Sequence, residues 1–163
     1  MSKEIDVIIP HTEVTEEEKT AFFKAFLADK PFTATDSMLD GAFTVEFQSL
    51  SVQQSTDIFD QLRRDQQKQL ITNDSTYMMA LTNYRLAQAI VSIGDKPFQP
   101  EFSADKYKPV DDSDSYIKAK AAILKTWSIF KLSAIAEAFK GFEDKILFLT
   151  KEIQSENFWK AAK

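Results

Sequence analysis

The chain has 163 residues, with 25 acidic against 20 basic side chains (net charge −5), one histidine, no cysteine and three glycines. That length suits one domain with a core of ordinary size. The missing cysteines exclude disulfides, thiolate catalysis and cysteine-ligated metal, and a lone histidine excludes HExxH and every multi-histidine site. Gly41, Gly94 and Gly141 are scattered, so no phosphate-cradling loop is present. The acidic balance, with 17 lysines among the basic residues, disfavours nucleic acid or an anionic membrane as partner. No apolar run reaches the roughly 20 residues needed to cross a bilayer. The first residues, Met1-Ser2-Lys3-Glu4-Ile5-Asp6, carry acids where a secretory signal would be apolar, which predicts a cytosolic chain.

Ile5-Asp6-Val7-Ile8-Ile9 is a short β-prone run stopped by Pro10, in the manner of an edge strand. Thr15-Glu16-Glu17-Glu18 reads as a capping box opening a helix. Its apolar side is Phe22, Phe23, Phe26 and Leu27, and Asp29-Lys30-Pro31 ends it. Residues 31–41 read as loop. Residues 43–48, Phe-Thr-Val-Glu-Phe-Gln, alternate strictly and predict a strand with Phe43, Val45 and Phe47 inward. Ser51-Val52-Gln53-Gln54 is a second capping box. The helix it opens carries Val52, Ile58, Phe59 and Leu62, then turns wholly polar from Arg63 to Gln69, a stretch expected to project into solvent or fray. Asn73-Asp74-Ser75 caps a third helix, with Tyr77, Met78, Leu81, Tyr84, Ala87, Ala89, Ile90 and Val91 as candidate core.

Gly94 and Pro97 stop that helix, and Gly94-Asp95 is alternatively the tip of a small hairpin. Residues 95–111, with Pro97, Pro100 and Pro109, read as a long loop or arm. Asp112-Ser113-Asp114 opens a helix bearing Tyr116, Ile117, Ala121, Leu124, Trp127 and Phe130, with a break expected near Lys131–Ser133. Ile135, Phe139, Phe142, Ile146, Leu149 and Ile153 then form an unbroken stripe on one helix face. Leu147 and Phe148 fall off that stripe and need cover from a second surface. Gly141 in mid-helix hints at close packing against a neighbouring backbone. The fold expected is mainly α, a single-domain helical bundle with a small β-strand or hairpin element. Its sections are 1–41, 42–94, the 95–111 loop or arm, 112–155, and a tail over 156–163.

No constellation of residues demands a reaction. Counting from Asp112, the glycine and glutamate positions of an EF-hand loop hold Ile117 and Ile123, so the acids there read as a helix N-terminus. His11 lies beside a proline with no assigned partner for base catalysis. The basic spot at Arg63, Arg64 and Lys68 is diluted by Asp60 and Asp65. Phenylalanine is the unusual entry in the composition, with 14 copies. It implies an aromatic-rich core, a protein interface, or both. Phe158 and Trp159, near the C-terminus, are the partner-binding candidates, with folding back onto the domain as the open alternative.

The order of elements resembles a family. A strand ending in Leu50-Ser51, an amphipathic helix, and a later helix that runs from Tyr84 into the turn Ser92-Ile93-Gly94-Asp95-Lys96 are similar to small tail-assembly proteins of tailed bacteriophages. These include tail-assembly chaperones and baseplate-hub assembly proteins. The resemblance covers residues 43–153 and supplies no catalytic residue, cofactor or metal. It implies a non-enzymatic assembly factor or structural subunit that binds tail or baseplate components in the host cytoplasm, with retention in the virion and self-association as open points. No nucleic-acid or membrane partner is expected. The alternatives are a cytosolic adaptor or inhibitor unrelated to phage, and a small carboxylate-dependent hydrolase drawing on His11 and the acids around Asp111.

Overall fold

The computed structural model describes residues 14–99 and 116–155. Five helices and four strands follow in the order α1 (Glu16–Leu27), β1 (Thr33–Met38), β2 (Phe43–Gln48), α2 (Val52–Gln67), α3 (Asp74–Ala89), β3 (Ile90–Ile93), β4 (Lys96–Pro97), α4 (Tyr116–Leu124) and α5 (Ile129–Gln154). The protein is therefore mainly α with a small antiparallel sheet, of order β1-β2-β3-β4. The run at residues 5–9 and the helix opening at 112–114 lie outside the described residues.

The caps act where the sequence places them. Thr15 accepts from the Glu18 backbone at 3.1 Å, but the Glu18 carboxylate does not reach back to complete the box. It pairs instead with Lys145 of α5 at 3.3 Å. Ser51 with Gln54, and Asn73 with Thr76, form complete reciprocal boxes. At the other ends, α1 and α2 close through Asp29 and Gln69 in the left-handed region (φ 54° and 60°). In each, the amide one residue further on reaches back five residues, Lys30 to the Ala25 carbonyl and Leu70 to the Asp65 carbonyl.

Three sequence expectations fail here for identifiable reasons. Residues 31–41 are not all loop, because Thr33–Met38 pairs along its whole length with β2, from Thr33↔Gln48 to Met38↔Phe43. A polar edge strand has no hydrophobic alternation to betray it. The third helix does not run on through Ile90 and Val91. The β-branched run Ile90-Val91-Ser92-Ile93 continues the chain directly as β3, turns at Gly94 (φ 59°) and returns through Lys96–Pro97. The start of the expected 95–111 loop is thus the return strand of a hairpin. The last break falls before Lys131, not at 131–133: Ser128 caps α5 by accepting from the Lys131 amide at 3.2 Å.

The buried residues form one hydrophobic cluster. At its centre the inward face of β2 meets the stripe of α5. Phe47 lies 5.6 Å from Phe139 and 5.7 Å from Phe142, ring to ring, and Phe142 stacks on Phe32, which in turn meets Phe22 edge-on. Val45 and Phe47 are fully buried and Phe43 half-buried, as the alternation requires. Of the apolar residues assigned to the first two helices, Phe22, Ile58 and Leu62 are core, whereas Phe26, Leu27, Val52 and Phe59 are exposed. On α3, Met78 is likewise exposed. At the sheet edge, Asp36 stands opposite Val45 on the core-facing register of β1, yet its side chain is exposed.

Candidate functional site

Two features stand out from the packing. The first is a buried polar knot joining α2, α3 and α4. Asp65, in the stretch expected to fray, is only 3% exposed. Its carboxylate accepts from the Tyr84 hydroxyl of α3, from Gln61 Nε2 one turn earlier at 2.9 Å, and from Lys118 Nζ of α4 at 3.5 Å. Gln61 is also buried. The helix therefore extends through Gln67 because one polar side faces inward and is satisfied there. Spacing does carry a trace of this, since Gln61 and Asp65 sit four apart on the same side as Ile58 and Leu62. A count of apolar positions passes over it.

Lys120, two residues after the half-buried Lys118, is itself buried. Its Nζ donates to the Ile90 carbonyl at 3.2 Å and lies over the rings of Phe98 (5.3 Å) and Tyr116 (5.8 Å). Burial pushes its pKa from the ordinary 10.5 down to about 8. Between those values the unfolded chain holds a proton at this site that the folded chain has released, so stability rises with pH across that window. Below about pH 8 the charged, desolvated side chain works against the fold, and above 10.5 the penalty is gone. The stability of the wild type minus that of Lys120→Met is therefore expected to grow between about pH 7 and about pH 10. Urea titrations of both proteins check this, and a pH-independent difference contradicts it.

Neither group lines the two hollows that the described residues form at the α2–α3 corner and on the outer sheet face. The groove at the α2–α3 corner, about 470 Å³, is lined by Gln66, Ile71, Thr72, Asn73, Asp74 and Tyr77. It has neither a histidine nor a cysteine. A second hollow of about 350 Å³ lies on the outer sheet face among Thr35, Thr44, Glu46 and Ser92. Among the described residues no group of three or more His, Cys, Asp or Glu side chains could hold a metal ion, and no helix is long and apolar enough to cross a membrane. His11, the acids at 111–114, and the partner-binding candidates Phe158 and Trp159 lie outside the described residues.

The second feature is an apolar end. The tip of the β1–β2 hairpin carries Leu39, and the α4–α5 corner carries Ile129 and Phe130; they are 79%, 73% and 85% exposed. Lys131 ties these two parts together, its Nζ lying 4.6 Å from the Trp127 ring and 5.9 Å from the Phe43 ring. Leu39 also occupies the left-handed region (φ 54°), a conformation costly for a bulky side chain. From this end the exposed apolar positions continue along the outer side of α5 through Ala134 to Leu147 and Phe148. The expectation that Leu147 and Phe148 need a second cover thus meets an open surface. The expectation for Gly141 is overturned: a side chain built there meets nothing within 4 Å.

Sequence reasoning missed Ile129 and read Phe130 as an apolar position of the preceding helix, because the helix boundary was placed after them; Phe130 instead lies exposed in the first turn of α5. A Ser128 cap followed at once by two large apolar residues would have put both in the exposed first turn. Comparison with protein-family models, with curated proteins and with solved structures finds no match to this chain.

Proposed function

We propose that this protein is a non-enzymatic protein–protein assembly factor that acts in building a bacteriophage tail or baseplate. The single observation that carries the assembly reading is the exposure of Leu39 at the β1–β2 tip and of Ile129 and Phe130 at the α4–α5 corner, two parts that Lys131 links through the rings of Phe43 and Trp127. Isolated exposed apolar residues are ordinary, but a group with aromatic members marks an interaction site. A backbone held in the left-handed region at Leu39 adds to this, because such strain persists where the surroundings enforce it. The phage assignment rests on the strand–helix–turn order of residues 43–98. On this reading the protein works in the host cytoplasm, as a chaperone released before completion or as a subunit kept in the particle. A cytosolic adaptor or inhibitor unrelated to phage would use the same surface.

The test is co-expression with the tail-tube and baseplate proteins encoded beside it. The wild-type chain is expected to co-migrate with one of them on gel filtration. Phe130→Ser, at a position 85% exposed, should lose at least tenfold in affinity while keeping its circular dichroism and melting temperature, as expected of a hot-spot aromatic worth about 2 kcal/mol or more. Co-migration that is indifferent to Phe130→Ser, or a gene with no tail genes nearby, argues against the proposal. Mass spectrometry of purified virions separates a retained subunit from a released chaperone.

A further inference from the structure

We infer that the outer face of α5 is covered by a second copy of this chain, the two α5 helices crossing antiparallel about a two-fold axis near residues 138 and 139. The inference rests on the reading of this surface as an interface and names its occupant.

The stripe Ile135, Phe139, Phe142, Leu149 and Ile153 is buried against the sheet and α1, so the opposite side of α5 is presented outward. That side carries Phe130 and Ala134 in its first half and Gly141, Leu147 and Phe148 in its second. Ala134 and Gly141 are both exposed, with large apolar side chains beyond them at either end. An exposed glycine within a helix costs about 1 kcal/mol relative to alanine, and among the described residues nothing recovers it, since a side chain built at Gly141 meets nothing within 4 Å. A second backbone approaching closely would use that space.

Charge chooses the occupant and its direction. Glu137 and Lys140 lie on the same outward side. In a parallel pair related by a two-fold axis, each residue faces its own copy, placing Lys140 on Lys140 and Glu137 on Glu137. In an antiparallel pair whose facing residue numbers sum to about 277, Lys140 meets Glu137 of the other copy, and the symmetry makes this contact twice. The same register sets Phe130 of each copy against Leu147 and Phe148 of the other. From Phe130 to Phe148 the helix spans about 27 Å, at about 1.5 Å per residue, long enough for aromatic contacts at both ends and a close crossing between them. One register thus satisfies the charges and the large side chains together.

The test is sedimentation equilibrium of the full chain with charge reversals. The wild type is expected to dimerise. Glu137→Lys alone and Lys140→Glu alone should each weaken dimerisation at least tenfold, because each creates two like-charge contacts. The double variant should restore it. Gly141→Ala should raise the melting temperature of dilute monomer while weakening the dimer. A wild type that sediments as a monomer throughout the run overturns the proposal, as does a double variant no better than the single ones. A chain that dimerises only after truncation following Gln154 assigns the face to its own C-terminal residues and equally overturns it. Failure here is distinct from failure of the assembly reading. A monomer that still captures a tail protein through Phe130 keeps that reading and loses the dimer, and a dimer that captures none does the reverse.

Discussion

Truncating Phe47 to alanine is expected to lower the unfolding free energy by about 3–5 kcal/mol, the range for deleting a fully buried aromatic whose site cannot collapse. Phe47 is completely buried and is the β2 residue that meets both Phe139 and Phe142 of α5. Its removal leaves a void between a sheet and a helix that are each fixed by other contacts. The strand is held by its ladders to β1 and β3, and the helix by the Lys145–Glu18 and Arg85–Glu143 pairs. Little relaxation is available, so the upper half of the range is expected. Phe43→Ala, two residues away on the same face but half-buried, should cost distinctly less. Urea unfolding followed by circular dichroism measures both. Equal losses would show that the strand is not packed as described.

Asp65→Ala is expected to be as damaging, at about 3–5 kcal/mol, although it deletes no apolar atom from the core. The carboxylate receives donors from three helices, and its loss removes the buried acceptor that the Tyr84 hydroxyl, the Gln61 amide and the Lys118 ammonium share. Loss of that shared acceptor accounts for most of the expected change. A second variant isolates this cause. Asp65→Leu combined with Tyr84→Phe and Lys118→Met removes two of the three donors along with the acceptor, and should recover part of what Asp65→Ala loses. If the triple variant is no more stable than Asp65→Ala, the lost acceptor is not the reason.

The parts of the fold legible in the sequence are those written in local chemistry. The caps at Thr15, Ser51 and Asn73, the alternation of β2 and the stripe from Ile135 to Ile153 each depend on residues a few positions apart, and the helix mainly α with a small sheet follows from them. What escaped depends on partners distant in sequence. Thr33–Met38 is a strand because β2 lies beside it, since its two threonines favour one but Ala34 and Asp36 do not. Asp65 is buried because Tyr84 and Lys118 arrive from 19 and 53 positions away. Val52 and Phe59 read as core by their chemistry alone, yet no element covers them. The candidate surface was half legible. Leu147 and Phe148 visibly leave the stripe, whereas the exposure of Leu39 depends on a hairpin that the sequence did not announce.

The placement of Asp36 decides how this protein can join others. β1 is an edge strand, and its outer backbone groups could template a strand from another molecule. Asp36 shares the face of Val45, so a newly paired strand would carry its own side chains over that carboxylate and shut it away from water, with no cation from β2 opposite to receive it. Removing a lone charge from solvent costs several kcal/mol, more than a short run of ladder bonds returns. The sheet edge is therefore closed to runaway strand addition without a proline or a bulge in β1. Strand addition at the β1 edge is disfavoured by a single carboxylate.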